Sequence, residues 1–283
     1  MAIPFTKAFQ LAVRVAVLLI VIGSIRAGFA QQAQKSALPF ARGEQLLYQA
    51  EFNRGLLRGV EVGELRFTAQ LNRSANGFSM DKSVVHLTGE AITKGFLIRL
   101  TGSKYHVRVE SEANANPFTV LHTKSLYEDK HTTVNSEGVF DHTAGKAVWT
   151  EQEQNEKPNA TTLAFTDPIH DVLTLIYFVR TQNLKPGQLF EVAMVDDGRA
   201  YRCVVNVMAG KKMSTAAGRV NTVRVEPAIF DGSREVRARG TLSIWLTDDT
   251  RHLPVKAQVR APIGTIDIKL KRVSYREADI ARN

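Results

Sequence analysis

The sequence predicts a mostly β protein: a large curved antiparallel sheet, or a partly open barrel or sandwich, with one packed helix. Three observations carry this reading. From Glu44 onward apolar residues recur at alternate positions in run after run, the period of strands that bury one face. Glycine, asparagine and proline turns separate those runs at short intervals, as in a meander. One segment alone, residues 167–180, shifts to helical spacing.

The first strands are read over 46–52 and 63–71. Asn76-Gly77 is the strongest signal for a two-residue hairpin turn, and it leads into a strand over 78–88. A strand pair is expected over 95–100 and 105–109, then a connection through Asn116-Pro117. Short strands follow around 119–127, 130–135 and 139–141, with a turn at 136–138, and another at 146–149. Residues 151–161 are polar and read as an exposed loop. His131 and His142 sit among small polar residues and read as solvated. The phenylalanines at 52, 67, 78, 96, 118, 140, 165, 178, 190 and 230 are scattered over the strands and read mostly as core.

For the helix, Asp167 is placed to cap the first free amides and Pro168 suits the first helical position. Ile169, Val172, Leu173, Ile176, Tyr177 and Val179 then form one apolar stripe. A helix of about 12 residues ending before Lys185-Pro186-Gly187 is predicted, packed on the concave side of the sheet. Strands resume over 188–195, 201–209, 218–226 and 236–246, with turns at Asp197-Gly198 and Asp231-Gly232. The last pair, 255–259 and 264–273, turns at 262–264. With no repeat and no long hinge, residues 44–276 read as one domain, with a flexible leader over 31–43 and a tail over 277–283.

Residues 1–30 carry the parts of a signal peptide: basic Lys7 and Arg14, an apolar run over 13–22, and Gly28-Phe29-Ala30. The run is shorter than the roughly 20 residues a membrane span requires. Cleavage after Ala30 and a periplasmic location are expected, with retention as an anchor as the alternative. No cysteine lies near the cleavage point, which argues against a lipid anchor. The formal charge of +9 falls to +6 without Lys7, Arg14 and Arg26. That charge is dispersed, which suits weak attraction to anionic envelope material and argues against nucleic acid.

Catalytic constellations are hard to assemble from this chain. Cys203, the single cysteine, cannot form an internal disulfide and reads as a buried thiol on a strand. Asp248-Asp249 lies between two strands, where adjacent side chains diverge and aspartate is an ordinary turn residue; a hairpin corner is the expected role. His170-Asp171 and Arg180 belong to the helix, with the acid near its start and the base near its end, where each is favourable. About 13 Å of helix axis separates Asp171 from Arg180, so each is expected to reach the sheet separately. The seven histidines show no metal-ligand spacing. There is no G-x-S-x-G and no phosphate loop. No catalytic, cofactor-binding or metal residue is assigned, and no cofactor is expected.

As a string, residues 46–275 resemble the family of exported bacterial proteins known as DUF3108, a domain of unknown function. The resemblance rests on the opening strands around Gly59 and Gly63, and on the helix with Asp171, Leu173, Tyr177 and Arg180 followed by Leu184 and Gly187. It rests also on the ending Trp245, Leu246, Asp248 or Asp249, Pro254, Gly264 and Leu270. It implies a β-rich envelope protein and brings no catalytic residues with it. Asp171, Tyr177, Arg180, Trp245, Asp248, Pro254 and Gly264 are taken as a structural signature. A fainter likeness in outline to curved-sheet lipoprotein carriers suggests an apolar cleft.

The leading function is therefore non-enzymatic: binding or carriage of lipid-like or envelope-polymer material. The alternative is a structural or protein-interaction module in envelope maintenance, and a hydrolase ranks third. The expected partners are a lipid, an envelope polymer or an envelope protein, and oligomeric state is left open.

Overall fold

Every second residue of the first strand turns inward, and the rest of the chain repeats that pattern. In β1 (Glu44–Arg54) the buried positions are Glu44, Leu46, Tyr48 and Ala50. The computed structural model describes residues 38–40, 43–72, 83–102, 104–166, 168–231, 234–235, 240–262 and 264–275. The expected signal peptide, the C-terminal tail beyond 276 and the Asn76-Gly77 turn lie outside the described residues.

After β1 come β2 (Leu57–Asn72), β3 (Val84–Thr93), a short helix α1 (Phe96–Thr101), β4 (His106–Ala115) and β5 (Phe118–Glu128). Next are β6 (Thr133–Asp141), β7 (Lys146–Glu153), β8 (Asn159–Ala164), β9 (Ile169–His170) and helix α2 (Val172–Thr181). The second half holds β10 (Leu189–Asp196), β11 (Arg199–Ala209), β12 (Met213–Thr215), β13 (Gly218–Val220) and β14 (Thr222–Asp231). It closes with β15 (Arg234–Glu235), β16 (Thr241–Thr247), β17 (Pro254–Ala261) and β18 (Gly264–Tyr275).

All but β12 and β13 belong to one 16-stranded sheet, ordered β8-β7-β6-β5-β4-β3-β2-β1-β18-β17-β16-β14-β11-β10-β9, with β15 on β14. Two meanders thus join where the first and last strands pair, Glu44 opposite Tyr275. Neighbours are antiparallel except β9 and β10, which run parallel through Ile169–Ala193 and His170–Met194. The sheet rolls until its arms meet. Val120, Phe140, Ala147 and Trp149 from one arm pack with Ile169 and Val195 of the other. A Cβ on Gly198, in the β10–β11 turn, would lie 3.1 Å from the Trp149 ring. No strand ladder joins β8 to β9 among the described residues, so side chains close the barrel where hydrogen bonds do not. The fold is mostly β, a curved sheet that forms a partly open barrel.

Helix α2 occupies the interior. It packs with Ala69, Val85, Leu87, Ala113 and Phe118 on one side and with Val192, Met194, Cys203, Val205, Val225 and Leu246 on the other. The first wall is built low: a Cβ on Gly89 would already stand 3.3 Å from Leu173. No helix among the described residues is long and apolar enough to cross a membrane.

Several expectations need correction. Residues 95–100, read as a strand, form helix α1. Gly95 and Gly102 take positive φ at its two ends, and the Gly102 amide donates to the Ile98 carbonyl; periodicity alone cannot separate strand from helix in so short an apolar run. The loop expected over 151–161 contains the end of β7 and the start of β8, whose residues are nearly all exposed. An edge strand tolerates polar sequence on both faces, which is why it read as a loop. Helix α2 starts later than Asp167-Pro168 suggested, because Ile169 and His170 are held by β10 and Asp171 provides the cap.

The apolar stripe is also too narrow a description. Thr174, Leu175, Phe178 and Arg180 are buried as well, as for a helix enclosed on nearly all sides. Most of the phenylalanines are core as read: 118, 140 and 178 are buried, and half-buried 52, 67, 165 and 190 pack against the core clusters. Phe78 lies outside the described residues. His142 is not solvated: its Nε2 is 2.6 Å from the Val120 carbonyl and its ring packs edge-on to Phe165. The leader expected to end at 43 reaches the core earlier, since Phe40 is buried against Phe118 and Tyr177.

Candidate functional site

The site is built around the two ends and one flank of α2. At its start Asp171 is extended, its carboxylate accepts from the Thr174 amide at 2.6 Å, and the Thr174 hydroxyl accepts from the Asp171 amide at 2.9 Å. This reciprocal capping box satisfies donors that would otherwise be orphaned at a helix start. The other carboxylate oxygen accepts from the Ser111 hydroxyl on β4, which ties the buried cap to the sheet.

At the opposite end lies a buried ion pair. Arg180 donates through its two terminal nitrogens to both carboxylate oxygens of Glu44, at 2.6 and 2.9 Å, and both side chains are 1% exposed. The guanidinium also faces the Arg251 carbonyl at 3.3 Å and the rings of Phe40 and Tyr177 at 5.4 and 5.3 Å. Burial works against the charged guanidinium, but the hydrogen bonds and charge of Glu44 outweigh it and hold Arg180 above the ordinary arginine value. Tyr48, also in this knot, donates to the Pro254 carbonyl at 2.7 Å. Burial raises the phenols of both Tyr48 and Tyr177.

The β16–β17 turn fastens the same end. Asp249 accepts from the Thr247 hydroxyl at 2.7 Å and from the Arg251 amide and side chain at 2.6 to 3.0 Å. Burial alone would raise its carboxyl, yet these bonds hold it below the usual range. His252, at φ 40°, donates from Nδ1 to the Arg180 carbonyl at 2.9 Å, satisfying a carbonyl at the helix terminus.

The signature residues therefore do not converge on one point. Asp171 sits at one end of α2, while Tyr177, Arg180 and Pro254 gather at the other. Trp245 lies on the face of β16 opposite Ile244, with the Lys256 ammonium 5.4 Å from its ring. Asp248 is exposed, and its amide donates to the Asn221 carbonyl at 3.0 Å. Gly264 (φ 141°) turns β18 against Phe52, whose ring a Cβ there would meet at 2.6 Å. Asp171 and Asp249 stand at opposite ends of α2, each consumed by local hydrogen bonds. Among the described residues no three His, Cys, Asp or Glu side chains are grouped so as to hold a metal ion.

The flank of α2 is different in character. Val172, Leu175, Ile176 and Val179 face a wall of Met194, Cys203, Val205, Val225, Pro227, Ile229, Leu242, Ile244, Leu246 and Pro254 across an apolar groove. Its enclosed space is about 50 Å³, far below the roughly 300 Å³ at which ligand pockets begin. Val172 and Ile176, one turn apart, are only half-buried and form its open edge. Burial pushes the Cys203 thiol up to about 12, so it lines the groove as an apolar group.

Sequence reasoning missed Glu44 as the Arg180 partner, although its place one step before Leu46, Tyr48 and Ala50 put it on the buried face. It also missed the wall: Leu242, Ile244 and Leu246 alternate on β16, a signal for one apolar face but not for what that face opposes.

The family described as a protein of unknown function (DUF3108) matches residues 47–271. The chain is similar to a solved β-barrel-like protein of a domain of unknown function, DUF1849, from Brucella abortus, at 11% identity and a TM-score of 0.54. The match covers 84% of this chain and 100% of that one, and at this identity it shows the fold alone. A Bacteroides fragilis protein with a YmcC-like fold aligns at 9% identity and a TM-score of 0.31, over 84% of this chain and 98% of that one. No curated protein matches the chain.

Proposed function

The chain belongs to the DUF3108 family, and from that premise we propose that it is a non-enzymatic protein of the periplasm or envelope that binds lipid-like material along the flank of α2. The observation that carries this reading is the groove, whose lining is apolar throughout and whose edge is formed by half-buried Val172 and Ile176. Apolar residues kept at an opening suit a ligand that completes the burial. Location in the envelope rests on the N-terminal basic and apolar pattern at 1–30. Because the enclosed space is small, the bound group lies along the open edge, over Val172 and Ile176.

A second reading, a structural or protein-interaction module, draws on the same small volume: α2 already fills most of the barrel. Binding of an anthroyloxy-labelled fatty acid separates the two. The full chain is expected to enhance the probe's fluorescence, an unlabelled fatty acid to reverse it, and Ile176→Asp to weaken binding by roughly tenfold or more, as expected when a charge is placed against a buried chain. No enhancement with the native chain would favour the structural module.

A further inference from the structure

Strands β1 and β2 join in a two-residue turn, Gly55-Leu56, with Arg54 opposite Leu57 and Gly55 at φ 54°. Such a turn needs glycine at its first position, but nothing local requires leucine at its second, where polar residues are usual. Leu56 is 103% exposed and Leu57 42%, so neither side chain belongs to the barrel core. They are bracketed by Arg54 and Arg58, both exposed and without an ion-pair partner among the described residues.

The hairpin lies at one end of the barrel. Asn53, Thr265, Arg260 and Thr241 form a cross-strand row there, and the Gly55-Leu56 turn lies two residues beyond it, roughly 7 Å further out at strand rise, about as far as the neighbouring β17–β18 turn that follows the Ala261–Gly264 pair. Exposed Arg260 adds a third cation to this end. The nearest acid on β1, Glu51, is engaged by Lys269 at 2.5 Å and Lys271 at 3.8 Å, and exposed Glu61 stands opposite it, farther from the tip. The turn is therefore apolar at its point and cationic around it, the arrangement that suits insertion among anionic headgroups.

We propose that the β1–β2 tip docks the protein onto an anionic lipid surface, with Leu56 and Leu57 entering the interface and Arg54 and Arg58 meeting the headgroups. This rests on the envelope location proposed above but not on the groove, although Leu242, beside Thr241, brings one end of the groove to the same end of the barrel.

The test places the reporter at the tip, so that attachment through the apolar N-terminal segment leaves it silent. Leu56→Trp is introduced in the full chain; native Trp149 and Trp245 are each 7% exposed and give a steady background. Vesicles containing phosphatidylglycerol are expected to shift the added emission to shorter wavelength, and brominated lipid to quench it. Vesicles of phosphatidylcholine alone are expected to do neither. Adding Arg54→Glu and Arg58→Glu is expected to raise the half-maximal vesicle concentration roughly tenfold or more, and salt near 1 M to abolish the shift, since the screening length falls to about 3 Å. Emission that stays put on anionic vesicles, or that shifts equally on neutral ones, overturns the assignment. Ile176→Asp should leave the shift intact, which keeps this outcome separate from the fate of the groove.

Discussion

Glu44→Leu is expected to cost about 3–5 kcal/mol of folding stability, because it strands the Arg180 guanidinium in the core with no carboxylate. The residue is 1% exposed and supplies two of the guanidinium's hydrogen bonds. The Arg251 carbonyl is at 3.3 Å and above, too weak a partner to replace it. Arg180→Met should cost a similar amount through the orphaned acid. The pair Glu44→Leu with Arg180→Met is expected to lose less than either single change, since two apolar side chains need no partner and replacement of buried ion pairs is often neutral. Urea unfolding of the four proteins measures the coupling. Additive losses would mean that Glu44 and Arg180 act separately, and that the sheet's first strand does not hold the end of α2.

The second large effect is on acid stability. His170 is 1% exposed, with its ring 4.4 Å from that of Phe178 and its Nδ1 without a partner among the described residues. Burial, reinforced by the His142 charge, lowers its pKa from 6.5 to about 3. In that interval the unfolded chain holds a proton that the folded chain does not. Stability from this site is thus complete above about 6.5 and falls by about 1.4 kcal/mol per pH unit on acidification toward 3. His170→Leu removes the titrating group at similar volume, so its acid unfolding midpoint should move to lower pH and its stability should depend less steeply on pH across this window. An unchanged slope would show that the imidazole is protonated within the fold.

Alternation along β1, β3, β11 and β14 was legible because each strand has one buried face, and period two records that directly. The helix was legible for the same reason, as the only run with another period. Its boundary was not: Asp167-Pro168 and Asp171 with Thr174 are both competent starts, and the choice was made by β10, which claims Ile169 and His170 as a strand. Residues 95–100 were misread because six residues are too few to separate the two periods, and positive-φ glycines at either end decide their path. The Glu44–Arg180 pair spans 136 positions, and no local rule links them. The groove is less legible still. Val172 and Ile176 belong to the same apolar stripe as Leu173 and Tyr177, and which of them stays half-open depends on how far the sheet rolls.

The groove and the tip are independent parts of one account: the barrel is held rigid by the Arg180 knot and the Asp171 cap, and an apolar flank is left open on α2. The most direct measurement is native mass spectrometry of the protein recovered from its own envelope fraction in mild conditions, with organic extraction of what co-purifies. A discrete lipid mass bound one to one is expected, released by extraction and absent from Ile176→Asp. Apoprotein alone, from wild-type and variant alike, would overturn lipid binding along the α2 flank.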